Sequence, residues 1–344
     1  MSKDINARRE FLKKSALGTG ALLLPWKINA SSVHDFDENK TVRFGLCADV
    51  HKDIVPDADE RLKIFIDRMK GEKVDFIMQM GDFCHPLPEN KSLMEIWEQF
   101  PNPKYHMLGN HDMDLGTKKD IMDFWGMDRN YYSFDHGNFH FVVLDPNYIR
   151  KKGEEDFIDY AHANFYISYE ERPFINDEQL VWLEEDLKAT KLPTIIFSHQ
   201  SLENEKWGVV NRDKLQKLFK TINEAAGFQK IIACLNGHHH VDYYKKLNDI
   251  HYLMINSMSY FWLGEDYQAS RYDDEIESKY PHLKKVVPFE HSLYALVTLH
   301  PKGFLKIEGV DSAFVAPSPN ELNYPKQPGW NRPEPIIRDR KMTF

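Results

Sequence analysis

With 344 residues, 42% of them hydrophobic and 13% aromatic, the chain is long enough to bury a large core as one large domain or two medium ones. Its formal net charge of −9 argues against nonspecific binding to nucleic acid or to a membrane surface, although a buried metal pair can present positive charge that this balance conceals. Cys47, Cys84 and Cys234 are an odd number, and Cys47 and Cys234 sit in apolar runs, so free buried thiols are expected and not a disulfide framework.

Residues 1–30 read as an export signal. Ala7-Arg8-Arg9-Glu10-Phe11-Leu12-Lys13 is a twin-arginine pattern, followed by the apolar stretch Ala16 to Trp26 and a cleavage point near Ala30. Eleven apolar residues are too few to span a bilayer, so no stable membrane span is expected. The alternative is an amphipathic first helix. Twin-arginine export carries folded, metal-loaded proteins, which places this one in the periplasm or outside a bacterial cell. Without the six basic and two acidic side chains of this segment, the remainder carries a charge of −13.

Thr41 to Ala48 reads as a first strand, apolar without strict alternation, as expected of a strand covered on both faces. It runs into Asp49-Val50-His51. Asp57 to Lys70 has Leu62, Phe65, Ile66 and Met69 on one helical face. Val74 to Met80 is a second strand ending at Gly81-Asp82, and Leu93 to Phe100 a second helix. Lys104 to Leu108 is a strand ending at Gly109-Asn110-His111-Asp112. Lys118 to Trp125 is helical, and Tyr131 to Phe134 with Phe139 to Leu144 forms a hairpin around His136-Gly137-Asn138.

Residues 146–175 lose clear periodicity, as a functional loop or a partly helical insertion would. Asn176 to Lys188 is a helix with a capping box formed by Asn176 and Gln179, and Leu180, Leu183 and Leu187 are its buried stripe. Pro193 to Phe197 is a strand ending at Ser198-His199, and Arg212 to Ala225 a helix stopped at Gly227. Ile231 to Leu235 is a buried strand running into Gly237-His238-His239-His240. Strands Tyr243 to Lys246 and Tyr252 to Asn256 follow, then a second aromatic insertion at 258–291, then a hairpin of Leu293 to Leu299 with Phe304 to Gly309. The proline-rich tail 313–344, with Trp330, is expected to wrap the domain as an ordered coil, the alternative being a flexible tail.

His238 and His240 alternate after a strand and can turn toward one point, where imidazole suits a transition metal; alone, the pair is equally a solvated histidine-rich turn. Its partners change that reading. Five apolar strands are each followed by Asp, His or Asn: Asp49 and His51, then Asp82, then Asn110 with His111, then His199, then His238 and His240. Ligands in open α/β sheets bind beyond the strand carboxyl ends, and this mixture of carboxylate, imidazole and amide oxygen suits two adjacent metals.

In this order the blocks D-x-H, G-D, G-N-H-D, H and G-H-x-H resemble the calcineurin-like metallophosphoesterase superfamily, with all five present between Asp49 and His240. The resemblance implies a four-layer α/β/β/α sandwich of two mixed β-sheets, the metallo-dependent phosphatase fold, over residues 41–312. It implies that Asp49, His51 and His240 hold a first divalent or trivalent metal, that Asn110, His199 and His238 hold a second, and that Asp82 bridges them, with manganese, iron and zinc all compatible. A hydroxide shared by metals about 3.5–4 Å apart would attack phosphorus in line. His111 would assist the leaving group, oriented by Asp112. His85 stands where many relatives have Asp or Asn and the purple acid phosphatases a tyrosine ligand; a role beside the metals or against substrate is expected of it. His239 is expected to point away from both metals.

Within the superfamily the segment Gln179 to His199 and the hairpin Phe134 to Asp145 are most similar to class III cyclic-nucleotide phosphodiesterases and manganese-dependent ADP-ribose or CDP-alcohol pyrophosphatases. The partner expected is therefore a small phosphorylated diester or nucleotide pyrophosphate, with Tyr148, Phe165, Tyr260 or Trp262 either stacking on a base or packing a lid. A phosphomonoesterase and a metal-binding protein without turnover are the alternatives. A nucleic-acid polymer is disfavoured by the acidic balance and the lack of a basic stripe, and the oligomeric state stays open.

Overall fold

The computed structural model describes residues 40–151, 153–154, 156–166, 172–326 and 333–344. The twin-arginine segment and Trp330 lie outside the described residues. In chain order the first half comprises β1 (Val42–Cys47), α1 (Ala58–Glu72), β2 (Phe76–Gln79), α2 (Lys91–Trp97), β3 (Lys104–His106), α3 (Lys118–Trp125), β4 (Tyr132–His136), β5 (Phe139–Leu144), β6 (Tyr148–Arg150) and β7 (Phe157–Asp159). Then come α4 (Asp177–Ala189), β8 (Thr194–Ser198), α5 (Arg212–Ala226), β9 (Ile231–Asn236), β10 (Tyr243–Leu247) and β11 (Ile250–Met254). The last are β12 (Tyr260–Trp262), α6 (Asp274–Lys279), β13 (Val286–Pro288), β14 (Ala295–His300), β15 (Phe304–Glu308) and β16 (Arg340–Thr343).

Two large mixed sheets form the middle. The first has the order β16-β15-β14-β1-β2-β3, with β1, β2 and β3 parallel and β14, β15 and β16 added antiparallel. The second has the order β10-β11-β9-β8-β5-β4, parallel from β11 to β5 with antiparallel strands at both edges. Three apolar cores separate four layers. Phe44, Leu46, Phe76 and Met78 of the first sheet meet Phe141, Val143, Phe197 and Leu235 of the second. Cys47 and Ile77 face Leu62, Phe65, Trp97 and Ile121 of α1 to α3 on one outer side. Val142, Leu144 and Ile196 face Leu183, Leu187 and Phe219 of α4 and α5 on the other. This is the metallo-dependent phosphatase fold, and burial on both faces explains why its central strands lack polar alternation.

Local signals account for the ends of the elements. Thr117 and Asp120 form a reciprocal capping box at the start of α3. Asn176 Oδ1 accepts the Gln179 amide at 2.9 Å, but the Gln179 side chain does not complete a box. It is buried and pairs instead with the Asp145 backbone at the end of β5, at 2.9 and 2.8 Å, because a buried amide side chain needs both its donor and its acceptor satisfied. The insertion at 146–175 contains the β6/β7 hairpin and that at 258–291 the β12/β13 pair with α6. The tail is not coil throughout: its last residues form β16 on the edge of the first sheet. All three cysteines are free and buried. Among the described residues no helix is long and apolar enough to cross a membrane.

Candidate metal centre

The loops following β1, β2 and β3 and those following β8 and β9 converge beyond the carboxyl ends of the two sheets. Asp49, His51 and His240 form one cluster of potential ligand atoms, and Asp82, His199 and His238 a second. In the first, His240 Nε2 lies 3.1 Å from Asp49 Oδ1 and 3.3 Å from His51 Nε2. Two donors each about 2.1 Å from one metal lie about 3.0 to 3.4 Å apart at octahedral or tetrahedral angles, so both edges fit a shared ion. In the second, His199 Nε2 is 3.0 Å from Asp82 Oδ2. That oxygen is also 3.6 Å from His51 Nε2, so the Asp82 carboxylate stands between the clusters.

The imidazoles are held from behind. His199 Nδ1–H donates to the Met80 carbonyl at 2.7 Å and His240 Nδ1–H to the Tyr260 carbonyl at 3.1 Å, which turns each Nε2 lone pair into the cleft. His199 Nε2 is buried and faces only the Asp82 and Asp49 carboxylates, at 3.0 and 3.9 Å, without the geometry of a hydrogen bond, a place that a metal between them would fill. Burial disfavours a charged His199, yet the Asp82 and Asp49 carboxylates outweigh it and hold the ring up to about 9, so this point in the structure calls for positive charge. His51 and His238 are pushed well down, chiefly by burial, and stay neutral as ligands must. The residues present therefore fit a pair of metal ions.

Such convergence strains the chain. Asp49, His51, Asp82, His238 and His240 all have left-handed backbones, with φ between 50° and 68°. Each costs about 1–3 kcal/mol unless its surroundings enforce it. The enforcement is visible: the His238 amide donates to the Asp49 carboxylate at 3.0 and 3.1 Å, and the His111 amide to Asp82 Oδ1 at 2.8 Å. Glycines precede the ligands because the loops nearly touch. A Cβ at Gly109 would sit 2.2 Å from the Asp82 amide and carboxylate, and one at Gly237 would sit 2.5 Å from Asp49 Oδ2.

Residues 42–242, more than half of the chain, match the model of the calcineurin-like phosphoesterase domain. The chain belongs to the calcineurin-like phosphoesterase family. It is a metal-dependent phosphoester hydrolase of a dinuclear family. Among solved structures it is similar to a dimetal phosphatase from Danio rerio, at 15% identity and a TM-score of 0.55, over 80% of this chain and 99% of that one. It is also similar to the purple acid phosphatase PPD1 of yellow lupin, at 15% identity and a TM-score of 0.45, over 79% of this chain and 51% of that one. At 15% identity the likeness to the dimetal phosphatase shows the fold alone. No curated protein matches the sequence.

Around this phosphoesterase centre, several side chains sit elsewhere than the sequence suggested. Asp112 does not orient His111. It is buried and accepts hydrogen bonds from the amides of Asp82, Phe83, Cys84 and Gly109 at 2.7 to 3.2 Å, tying the second loop to the third. The acid at His111 is Asp114, whose Oδ2 accepts from Nδ1–H at 2.8 Å; the Tyr166 hydroxyl lies 3.3 Å from the same nitrogen. Residues 111–113 form a 3₁₀ turn, on which positions i and i+3 eclipse, so the spacing His111 to Asp114 was a readable signal. Burial opposes a charged His111, but Asp82 and Asp114 hold it up to about 9.

Asn110 is buried on the same loop, with Oδ1 3.4 Å from Gln200 Nε2; Gln200 directly follows His199, and sequence reasoning overlooked it. His85 joins neither cluster and pairs with Asp53, at 3.3 Å between Nδ1 and Oδ1. His239 is also in neither, and its Nε2 lies 3.1 Å from the Lys206 carbonyl. Of the rings considered for stacking, Tyr148, Phe165 and Tyr260 are buried as packing, with Tyr260 against His51 and His240 at 5.1 and 4.8 Å. Trp262 remains exposed, beside His282, and Trp207, which the sequence did not single out, is exposed beside His239.

Proposed function

We propose that this phosphoesterase hydrolyses small phosphodiesters or nucleotide pyrophosphates outside the cytoplasm, holding two metal ions with Asp49, His51 and His240 on one side and Asn110, His199 and His238 on the other, and with Asp82 shared. The observation that carries the reading is the pair of interlocked ligand clusters with Asp82 between them. Manganese, iron or zinc bound there would polarise the phosphoryl oxygens and lower the pKa of the attacking water. The chain's own residues supply the rest. His111, fixed through Nδ1 by Asp114, keeps Nε2 for a proton to the departing ester oxygen. Gln200 fixes the amide of Asn110, and Met80 and Tyr260 fix the tautomers of His199 and His240. Trp262 and Trp207, exposed next to ligand-bearing segments, suit the organic group that a diester carries on its second oxygen. Export rests on the twin-arginine sequence at residues 1–30.

The test is hydrolysis of bis-p-nitrophenyl phosphate against p-nitrophenyl phosphate by protein reloaded in turn with manganese, iron and zinc. Faster diester turnover supports the reading, and monoester preference replaces it with a phosphatase. His111→Ala should retain both metals and lose turnover by about 100-fold or more. Unchanged turnover would remove His111 from the mechanism.

A further inference from the structure

The C-terminal segment 333–344 is fastened to both sheets, and its fastening on the second leads to one cluster in particular. β16 continues the first sheet by pairing Phe304 to Ile307 with Thr343 to Arg340. From the same stretch Arg338 and Arg340 converge on Asp242, which is 3% exposed. Asp242 Oδ2 accepts from Arg338 Nη1 at 2.8 Å and Arg340 Nη2 at 2.6 Å, and Oδ1 from Arg340 Nη1 at 2.7 Å and the Arg338 amide at 3.2 Å. Asp242 stands two residues after His240.

A second fastening reaches the other residues of that cluster. Asn256 Nδ2 donates to the carbonyls of Glu334 and Ile336 at 2.8 and 3.1 Å. The residues after Asn256 support the first loop: Ser257 Oγ donates to the Asp49 carbonyl, Ser259 Oγ to that of Val50 and the Met258 amide to that of Ala48, each at 2.8 Å. The Tyr260 carbonyl then receives His240 Nδ1–H. Asp49, His51 and His240 therefore all lie on segments that the tail grips. The supports found for Asp82 and His199, through His111 and Met80, belong to loops without a hydrogen bond to residues 333–344 among the described contacts, and of that cluster only His238 shares the loop of His240, four residues before Asp242.

We propose that the Arg338–Asp242–Arg340 clasp is a positioning device for one metal position, that of Asp49, His51 and His240, so that the tail of the chain sets the occupancy of this position more than that of its neighbour. The inference rests on the dinuclear reading. A buried carboxylate stripped of its guanidinium partners is strongly unfavourable in place and drives its loop to rearrange. That loop must hold His240 at a left-handed φ of 52°. Losing the support behind a metal ligand typically weakens the metal by about 10–100-fold.

The experiment is titration of metal-depleted full-length protein with Mn(II), followed by metal content after dialysis and by electron paramagnetic resonance. Wild type should take two ions and show a spin-coupled pair. Arg340→Ala should keep one ion near wild-type affinity, bind the other about 10–100-fold more weakly, and show the six-line signal of isolated Mn(II). Arg338→Ala, which removes the half-exposed arginine and leaves the Arg340 pair with Asp242 in place, should move the same way by less and serves if Arg340→Ala does not fold. Arg43→Ala, which breaks an ion pair with Glu72 remote from the tail, should leave both affinities unchanged. Two unchanged affinities in both tail variants, or two that fall in parallel, overturn the inference while the dinuclear reading stands. A wild-type chain that binds fewer than two ions overturns both.

Discussion

The two sheets contribute different chemistry to one cleft. Loops of the first sheet bring Asp49, Asp82 and Asn110, all oxygen donors, with His51 as their single imidazole; loops of the second bring His199, His238 and His240. The supports differ in the same sense. The carboxylates of the oxygen side are held by backbone amides, directly or through Asp112, whereas the imidazoles His199 and His240 are held by backbone carbonyls. Carboxylates want donors and imidazole N–H groups want acceptors. Each ligand cluster draws on both sheets, so a bound ion ties one sheet to the other.

The largest expected effect comes from the oxygen side. Asp82→Asn removes the negative charge between the clusters, and turnover should fall by about 100-fold or more, with a drop in bound metal seen by elemental analysis. Retention of both ions and of activity would show that the imidazole side suffices. Asp112→Ala should destabilise the fold by roughly 2–5 kcal/mol, because four amides lose their acceptor in a buried place. Denaturant unfolding measures this, and a change under 1 kcal/mol would mean that water replaces the carboxylate. Chelation should lower the melting temperature by several degrees and re-addition of metal restore it, since a ligand at 1,000 times its Kd adds about 4 kcal/mol to the folded state.

A smaller effect belongs to the second sheet away from the site. His140 lies between Asp135 at 2.6 Å and Asp186 at 2.8 Å, one carboxylate on each ring nitrogen. Burial opposes the charged ring, but the two acids prevail and raise it to about 9. A folded-state value above the ordinary 6.5 means that the contribution is complete below about pH 6.5 and disappears as the pH rises through about 9. The stability gap between wild type and His140→Gln should accordingly be largest near pH 6, about 1.5–3 kcal/mol, and shrink by pH 9.5. A gap independent of pH would mean that the ring is neutral throughout.

What could be read from the sequence follows the same division. The strands, the glycines before the ligands and the order of the five blocks are local features, each a few residues long and adjacent to an apolar run, and they carried the family and the fold. What escaped were side chains whose partners lie far along the chain. Spacing makes Gln179 the capping-box partner of Asn176, and its amide does bond Asn176, while the partner of its side chain is the Asp145 backbone. Adjacency assigns Asp112 to His111, although a 3₁₀ turn sends neighbours apart and brings i+3 underneath. β16 carries Arg340 and Lys341 on a sheet edge, where charged residues are expected and apolar alternation is weak.

The strand order has a consequence for how the molecule comes into being. β1, near the start of the described chain, pairs with β2 on one side and with β14 on the other, Val42 opposite Leu299. β14 is in turn covered by β15, and β15 by the final residues. A nascent chain that has not yet reached Ala295 holds β1 with an open edge, and the closing contacts join residues more than two hundred positions apart. Sheet pairing of such long range is slow. Folding of this domain is thus completed only once residues 295–343 have been made, and a chain that lacks them offers a bare strand edge to chaperones and to aggregation alike.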